Sequence, residues 1–144
     1  KPCPEIALPE SLANFKITNP DGPSLNYYIE LDVDGQRRLA VSLLHSPERF
    51  DPLQGRTFFQ YLKFHLLVVE RDGDDWRVVK ESDKPLLLDP KQTPSFHQQI
   101  GSNTKYIIHP DEVLADNFMH LMMKKPGLPN PEIVSEIAEQ LRTP

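Results

Sequence analysis

The chain has 144 residues, of which 38% are hydrophobic and 26% charged, and its formal net charge is −5 at pH 7. This length and composition are typical of one globular domain and argue against disorder. The acidic balance disfavours a nucleic-acid partner, a single cysteine, Cys3, excludes an internal disulfide, and no apolar run approaches the ~20 residues of a membrane-spanning helix.

The first hairpin of the chain is predicted within residues 25–44. Residues 14–18 alternate briefly before the turn-forming residues 19–23 interrupt them. The next strand is predicted to place one set of side chains on a single face: Leu25, Tyr27, Ile29, Leu31 and Val33. Asp34-Gly35 separates this run from a second alternating run at 38–44. An Asp-Gly pair between two such runs is a strong hairpin signal.

A second hairpin is predicted further along by the same signal. Residues 64–70 are rich in β-branched and aromatic side chains, Asp72-Gly73 follows, and residues 76–79 form the return strand. Residues 86–88 favour one more strand. The stretch 56–64 fits helical and strand spacing equally well, so its conformation stays open at this point.

Three helices are predicted in the last third, each starting at a proline behind a candidate cap: Thr93-Pro94, His109-Pro110 and Asn130-Pro131. They extend to about residues 100, 124 and 142, with Gly101 and Pro126-Gly127 as stop signals. The fold class is therefore α+β, an antiparallel sheet of hairpins in the first ~90 residues followed by three C-terminal helices. We interpret 1–144 as a single domain, β-rich over 12–90 and helical over 91–143.

The second of these helices carries the most informative pattern. One apolar stripe consists of Leu114, Phe118, Leu121 and Met122. Glu112 and Asp116 are four residues apart and share a neighbouring face. With the stripe packed in the core, the two carboxylates are predicted to face a concavity.

The string from Glu112 to Met122 resembles the last active-site helix of gluzincin-type zinc metallopeptidases. That helix reads Glu, two bulky residues, Ala, an acidic residue and then Phe three positions after the Ala. The resemblance implies that Glu112 matches the third zinc ligand and that Asp116 matches the outer acid that orients a ligand histidine. A carboxylate with two imidazoles is a common catalytic zinc set, and outer carboxylates tune such ligands.

The chain lacks the HExxH motif that supplies the two histidine ligands and the general base in that family. Either an HExxH segment precedes Lys1 in a longer parent, or the site has decayed into a scaffold. Zinc is accordingly expected in a complete parent and not in this chain alone. His97 and His109, with Glu112, form an alternative metal set if their two helices pack together.

Two classes of function follow. The first is the C-terminal portion of a gluzincin-like protein, inactive on its own and partnered by an upstream HExxH segment. The second is a non-catalytic module that binds a protein or peptide through a sheet edge or a helical face. The absence of an initiator Met and the gluzincin resemblance together predict an extracytoplasmic, periplasmic or secreted, location.

Overall fold

The computed structural model describes residues 1–18 and 24–142, so the predicted turn at 19–23 lies outside the described residues. Its centre is an antiparallel sheet in the order β1 (Tyr28–Val33), β2 (Gln36–His45), β3 (Lys63–Asp72) and β4 (Asp75–Val78). A short strand, β7 (Leu87–Leu88), pairs with β3 beyond the end of β4. Strands β5 (Lys80–Glu81) and β6 (Lys84–Pro85) form a separate two-stranded ladder.

The helices lie mainly in the last third, as predicted. Two short ones, α1 (Glu10–Ala13) and α2 (Phe58–Tyr61), occur in the β-rich part, and 3-10 turns occupy Pro52–Gln54 and Pro90–Gln92. The long helices are α3 (Pro94–Ile100), α4 (Pro110–Met122) and α5 (Pro131–Gln140). The α+β prediction, with hairpins first and three helices after them, is confirmed.

The sheet buries apolar side chains on both faces. Val41, Leu43 and Leu67 lie on one face with Ile6 and Leu12 of the N-terminal segment. On the other face the buried residues are Leu31, Ala40, Leu66 and Phe96, the last from α3. Because side chains along β2 and β3 alternate between the two faces, they contribute to two cores, one under the N-terminal segment and one under the helices.

The predicted face of the first strand is partly wrong. The regular strand begins at Tyr28, and Leu25 packs in the N-terminal core, whereas Leu31 packs in the opposite one. Leu25 is held outside the ladder because its N–H donates to the Glu5 carboxylate and its carbonyl accepts from the Ile6 N–H. Such a break in strand phase moves a side chain from one face to the other.

Both predicted hairpins are present, with a shift of one residue in the second. Asp34 and Gly35 both have positive φ and form the two-residue loop between Val33 and Gln36. In the second hairpin the loop is Gly73-Asp74, since Asp72 still pairs with Asp75. Gly73, with φ +64°, takes the first loop position, which glycine favours in type II′ turns.

Other local predictions need correction. Residues 14–18 make only a single bridge, Lys16 with His45, and no regular strand. The ambiguous stretch 56–64 divides into α2 and the start of β3, because Thr57 and Gln60 close a capping box around the short helix. Helix α4 ends at Met122, and two residues later Lys124 adopts a left-handed φ of +49°. The helix has therefore already ended before Pro126-Gly127, which was predicted to stop it.

The outer edge of β1 is closed by residues from elsewhere in the chain. The backbone of Lys1 exchanges two hydrogen bonds with Tyr28, at 2.7 and 2.8 Å. Ser95 Oγ accepts from the Asp32 N–H and donates to the Asp32 carbonyl, and Gln99 Nε2 donates to the Glu30 carbonyl. These contacts occupy most of an edge that would otherwise be a template for strand addition.

Candidate binding groove

An apolar groove of about 310 Å³ lies between the sheet and the three long helices. Residues of β1, β2, α3, α4 and α5 all line it, together with the loop before α4. Five isoleucines contribute to the lining: Ile29, Ile100, Ile107, Ile133 and Ile137. Phe96, Val113 and Leu114 also line it, with Ser42 and Asn117 among the polar residues. Its size and mostly apolar lining with a few polar groups are typical of ligand sites.

Helix α4 is held against the rest of the molecule by polar side chains. Asn117, which is 1% exposed, accepts from Asn103 Nδ2 at 2.8 Å and donates to the Val113 carbonyl at 2.8 Å. His120 Nε2 lies 3.1 Å from the Asn103 carbonyl, which can only accept, so that nitrogen carries the proton. Asn103 in turn bonds the backbone N–H and carbonyl of Asn130.

These contacts turn outward the apolar stripe of α4, which we call the α4 stripe (Leu114, Phe118, Leu121 and Met122), against the sequence prediction. Leu114 is 55%, Phe118 42% and Met122 65% exposed, and Leu121 is half-buried. The buried face of α4 is instead centred on Asn117 and His120, both of which bond Asn103. Because a hydrogen-bonded polar face can be buried at little net cost, apolar spacing alone did not identify the inward face.

Asp116 has a structural contact. Thr104 Oγ1 donates to Asp116 Oδ2 and accepts from the Tyr106 N–H at 3.0 Å. Asp116 thereby fastens the loop between α3 and α4 to the helix. Glu112 is half-buried one turn earlier, and it too has an interaction partner.

The two histidines predicted as alternative metal ligands have different surroundings. His109 is buried and caps α4, with its Nδ1 accepting from the Asp111 N–H at 3.2 Å. His97 is exposed and contacts the ring of Phe96. Among residues 1–18 and 24–142, no three His, Cys, Asp or Glu side chains form a group that could hold a metal ion. His97, His109 and Glu112 therefore form no such group.

The other two predicted caps, Thr93 and Asn130, make no capping hydrogen bond. Asn130 Oδ1 instead accepts from the Ser102 N–H at 2.8 Å, and its Nδ2 donates to Glu132 at 2.8 Å. Asn130 thus joins the start of α5 to the loop after α3, which fixes two walls of the groove relative to each other.

Comparisons with known proteins return no match: no family model, no curated protein and no solved structure is similar to this chain. Within the described ranges, no helix is both long and apolar enough to cross a membrane.

Sequence reasoning missed the groove as a site. Its lining residues come from segments that extend from Lys1 to Gln140, and no local motif links them. The one available signal is the helical spacing of apolar residues in α5, which places Ile133 and Ile137 on one face, and both side chains are only half-buried.

Proposed function

We propose that this domain is a non-catalytic recognition module that binds a peptide segment of another protein. The observation that supports the proposal is the 310 Å³ groove, whose apolar lining is open to solvent beside the exposed Leu114 and Phe118. Contiguous apolar surface of this kind is uncommon on isolated proteins and marks interaction sites.

The occupant is a segment that carries two or more large apolar side chains. Each Leu-sized side chain that becomes fully buried contributes about 1.5–3 kcal/mol, which ordering the segment partly offsets. Two or three anchors therefore correspond to a dissociation constant of about micromolar or weaker. This range is typical of transient recognition.

The test is selection of random 12-residue peptides displayed on phage, followed by affinity measurement on variants of the folded domain. Leu114→Gln removes an exposed apolar side chain of the groove wall and should weaken the selected peptides about tenfold. Met119→Gln is the matched control, since Met119 is 47% exposed on the same helix but about 140° around its axis. Selected peptides that bind Leu114→Gln and wild type equally would refute the groove as the site.

The gluzincin resemblance supports a second proposal, that α4 descends from a metallopeptidase active-site helix. Glu112 and Asp116 lie one turn apart on α4, as in that helix. A complete site needs HExxH from a segment before Lys1, with zinc supplied in that parent. The reading frame of the parent decides this: HExxH upstream supports the proposal, and a complete frame without it refutes it.

A further inference from the structure

We propose that the partner is a basic amphipathic helix that lays its apolar face along the groove and the α4 stripe. This inference rests on the proposed function and adds the charge and the conformation of the partner. Three observations lead to it: the acidic charge of α4 and α5, the length of the exposed apolar track, and the closed edge of β1.

The two helices that flank the groove carry acidic residues, which in α4 lie in its first two turns, and Lys124 and Lys125 come just beyond the end of α4. α4 contributes Asp111, Glu112 and Asp116, α5 contributes Glu132, Glu136 and Glu139, and neither helix contains Lys or Arg. Glu136 lines the groove itself. The hydrogen bond from Asn130 lowers the pKa of Glu132, so this carboxyl is ionised at neutral pH.

The cationic residue in the groove lining, Lys1, does not cancel this field. Its Nζ lies 2.6 Å from Glu30 Oε1, so its side-chain charge is paired on the β1 side. The α4–α5 side therefore keeps an acidic character. A partner with Lys or Arg flanking its apolar face is attracted and oriented there, whereas an acidic partner is repelled.

The apolar track has the length of two helical turns. Leu114 and Met122 are eight residues apart, which spans about 12 Å along α4. A partner helix presents apolar residues at i, i+4 and i+7 over the same distance. Met122 and Phe118 are exposed, and unbranched methionine adapts to differently shaped apolar partners.

Strand addition at β1 is disfavoured by the closed edge. Both outward backbone groups of Tyr28 and of Asp32 already bond Lys1 and Ser95, and the Glu30 carbonyl accepts from Gln99. An extended peptide would have to displace these contacts before it could pair. A helix makes its own backbone hydrogen bonds and needs only the apolar surface and the flanking charge.

The experiment measures binding of three fluorescein-labelled 14-residue peptides by anisotropy, at 20 mM and 200 mM NaCl. The first contains leucine and lysine with the leucines on one helical face, the second replaces every lysine by glutamate, and the third scrambles the first. We expect the amphipathic leucine–lysine peptide to bind at least tenfold more tightly than the other two, with weakening at higher salt. Glu136→Lys should weaken it about three- to tenfold, whereas the control Glu10→Lys, on α1, should not.

The outcomes separate this inference from the proposed function. Equal binding of the lysine and glutamate peptides, both weakened by Leu114→Gln, overturns the charge inference and leaves the groove intact. Equal binding of the amphipathic and scrambled lysine peptides would indicate a diffuse electrostatic contact. It would overturn the proposal that the partner binds as an amphipathic helix. Sedimentation that shows a dimer broken by Leu114→Gln identifies a second copy as the occupant and also overturns it.

Discussion

His45 Nε2 and His65 Nδ1 lie 2.8 Å apart on the neighbouring strands β2 and β3. His45 is buried. One nitrogen of this pair must carry the proton and the other must accept it, so at least one of the two rings is neutral. Burial first, and the charge of His65 second, lower the pKa of His45, against a smaller opposing effect of a backbone hydrogen bond at Ser46. Lys63 and Lys16, the register partners of His45 on either side, add positive charge nearby.

This pair predicts acid sensitivity of the fold. A histidine whose pKa is lower in the folded state than in the unfolded chain stabilises the fold above the unfolded pKa of about 6.5, and that stabilisation is lost as the pH falls further. The urea concentration at the midpoint of unfolding should therefore decrease as the pH is lowered from 7.5 to 5.5. His65→Gln retains a hydrogen-bonding side chain without the charge and should flatten this dependence. Identical pH profiles of the two proteins would contradict the assignment to this pair.

Asn117 should matter more for stability than its apolar neighbour Phe118. Asn117→Ala removes two hydrogen bonds from a buried site and should cost about 1–3 kcal/mol. Phe118→Ala, at a side chain that is 42% exposed, should cost less than about 1 kcal/mol, against about 3–5 kcal/mol for a core phenylalanine. Urea unfolding of both variants measures the two free energies. A larger loss of unfolding free energy for Phe118→Ala than for Asn117→Ala would indicate that the α4 stripe is packed in the core.

Gly101 should tolerate no side chain. Its φ of +70° and ψ of −166° fall in a region that essentially only glycine adopts, and an added Cβ would overlap Ile133 Cδ1 and lie 3.1 Å from Asn130 Oδ1. Gly101→Ala should cost about 1–3 kcal/mol in thermal or urea unfolding. Gly127→Ala is the control, with the same φ but open space around it. Equal costs would mean that contact with Ile133 contributes nothing.

The isolated chain should not bind zinc tightly. Glu112 is one candidate ligand, and a catalytic zinc site takes three from the protein. Calorimetry with Zn²⁺ at pH 7.5 should give no stoichiometric high-affinity event, and Glu112→Gln should leave the titration unchanged. A sharp one-to-one isotherm that Glu112→Gln abolishes would reverse this expectation.

Local signals predicted what depends on neighbours in sequence. The Asp34-Gly35 hairpin and the proline starts of α3, α4 and α5 follow from turn chemistry and helix ends, and all are present. The β5–β6 ladder was not predicted, because Ser82 and Asp83, both at positive φ, are weaker turn signals than Asp-Gly.

The orientation of α4 and the groove depend on distant residues. The inward face of α4 is set by Asn103, which lies 14 positions before Asn117 and is itself held by Asn130 in a separate loop. Nothing in the α4 sequence specifies that Asn117 has this partner. The His45–His65 pair was missed for the same reason, since the two residues meet through strand register and not through spacing.

The isoleucine methyl groups test the groove most directly. Ile29, Ile100, Ile107, Ile133 and Ile137 line it, while the remaining three isoleucines, Ile6, Ile17 and Ile108, do not. We would record isoleucine δ1-methyl NMR spectra during titration with whichever amphipathic peptide, leucine–lysine or leucine–glutamate, binds more tightly. We expect the five groove methyls to shift in a saturable way, while Ile6, in the opposite core, stays in place. Binding that leaves the five methyls unmoved, or that shifts Ile6 and Ile17 equally, would contradict it.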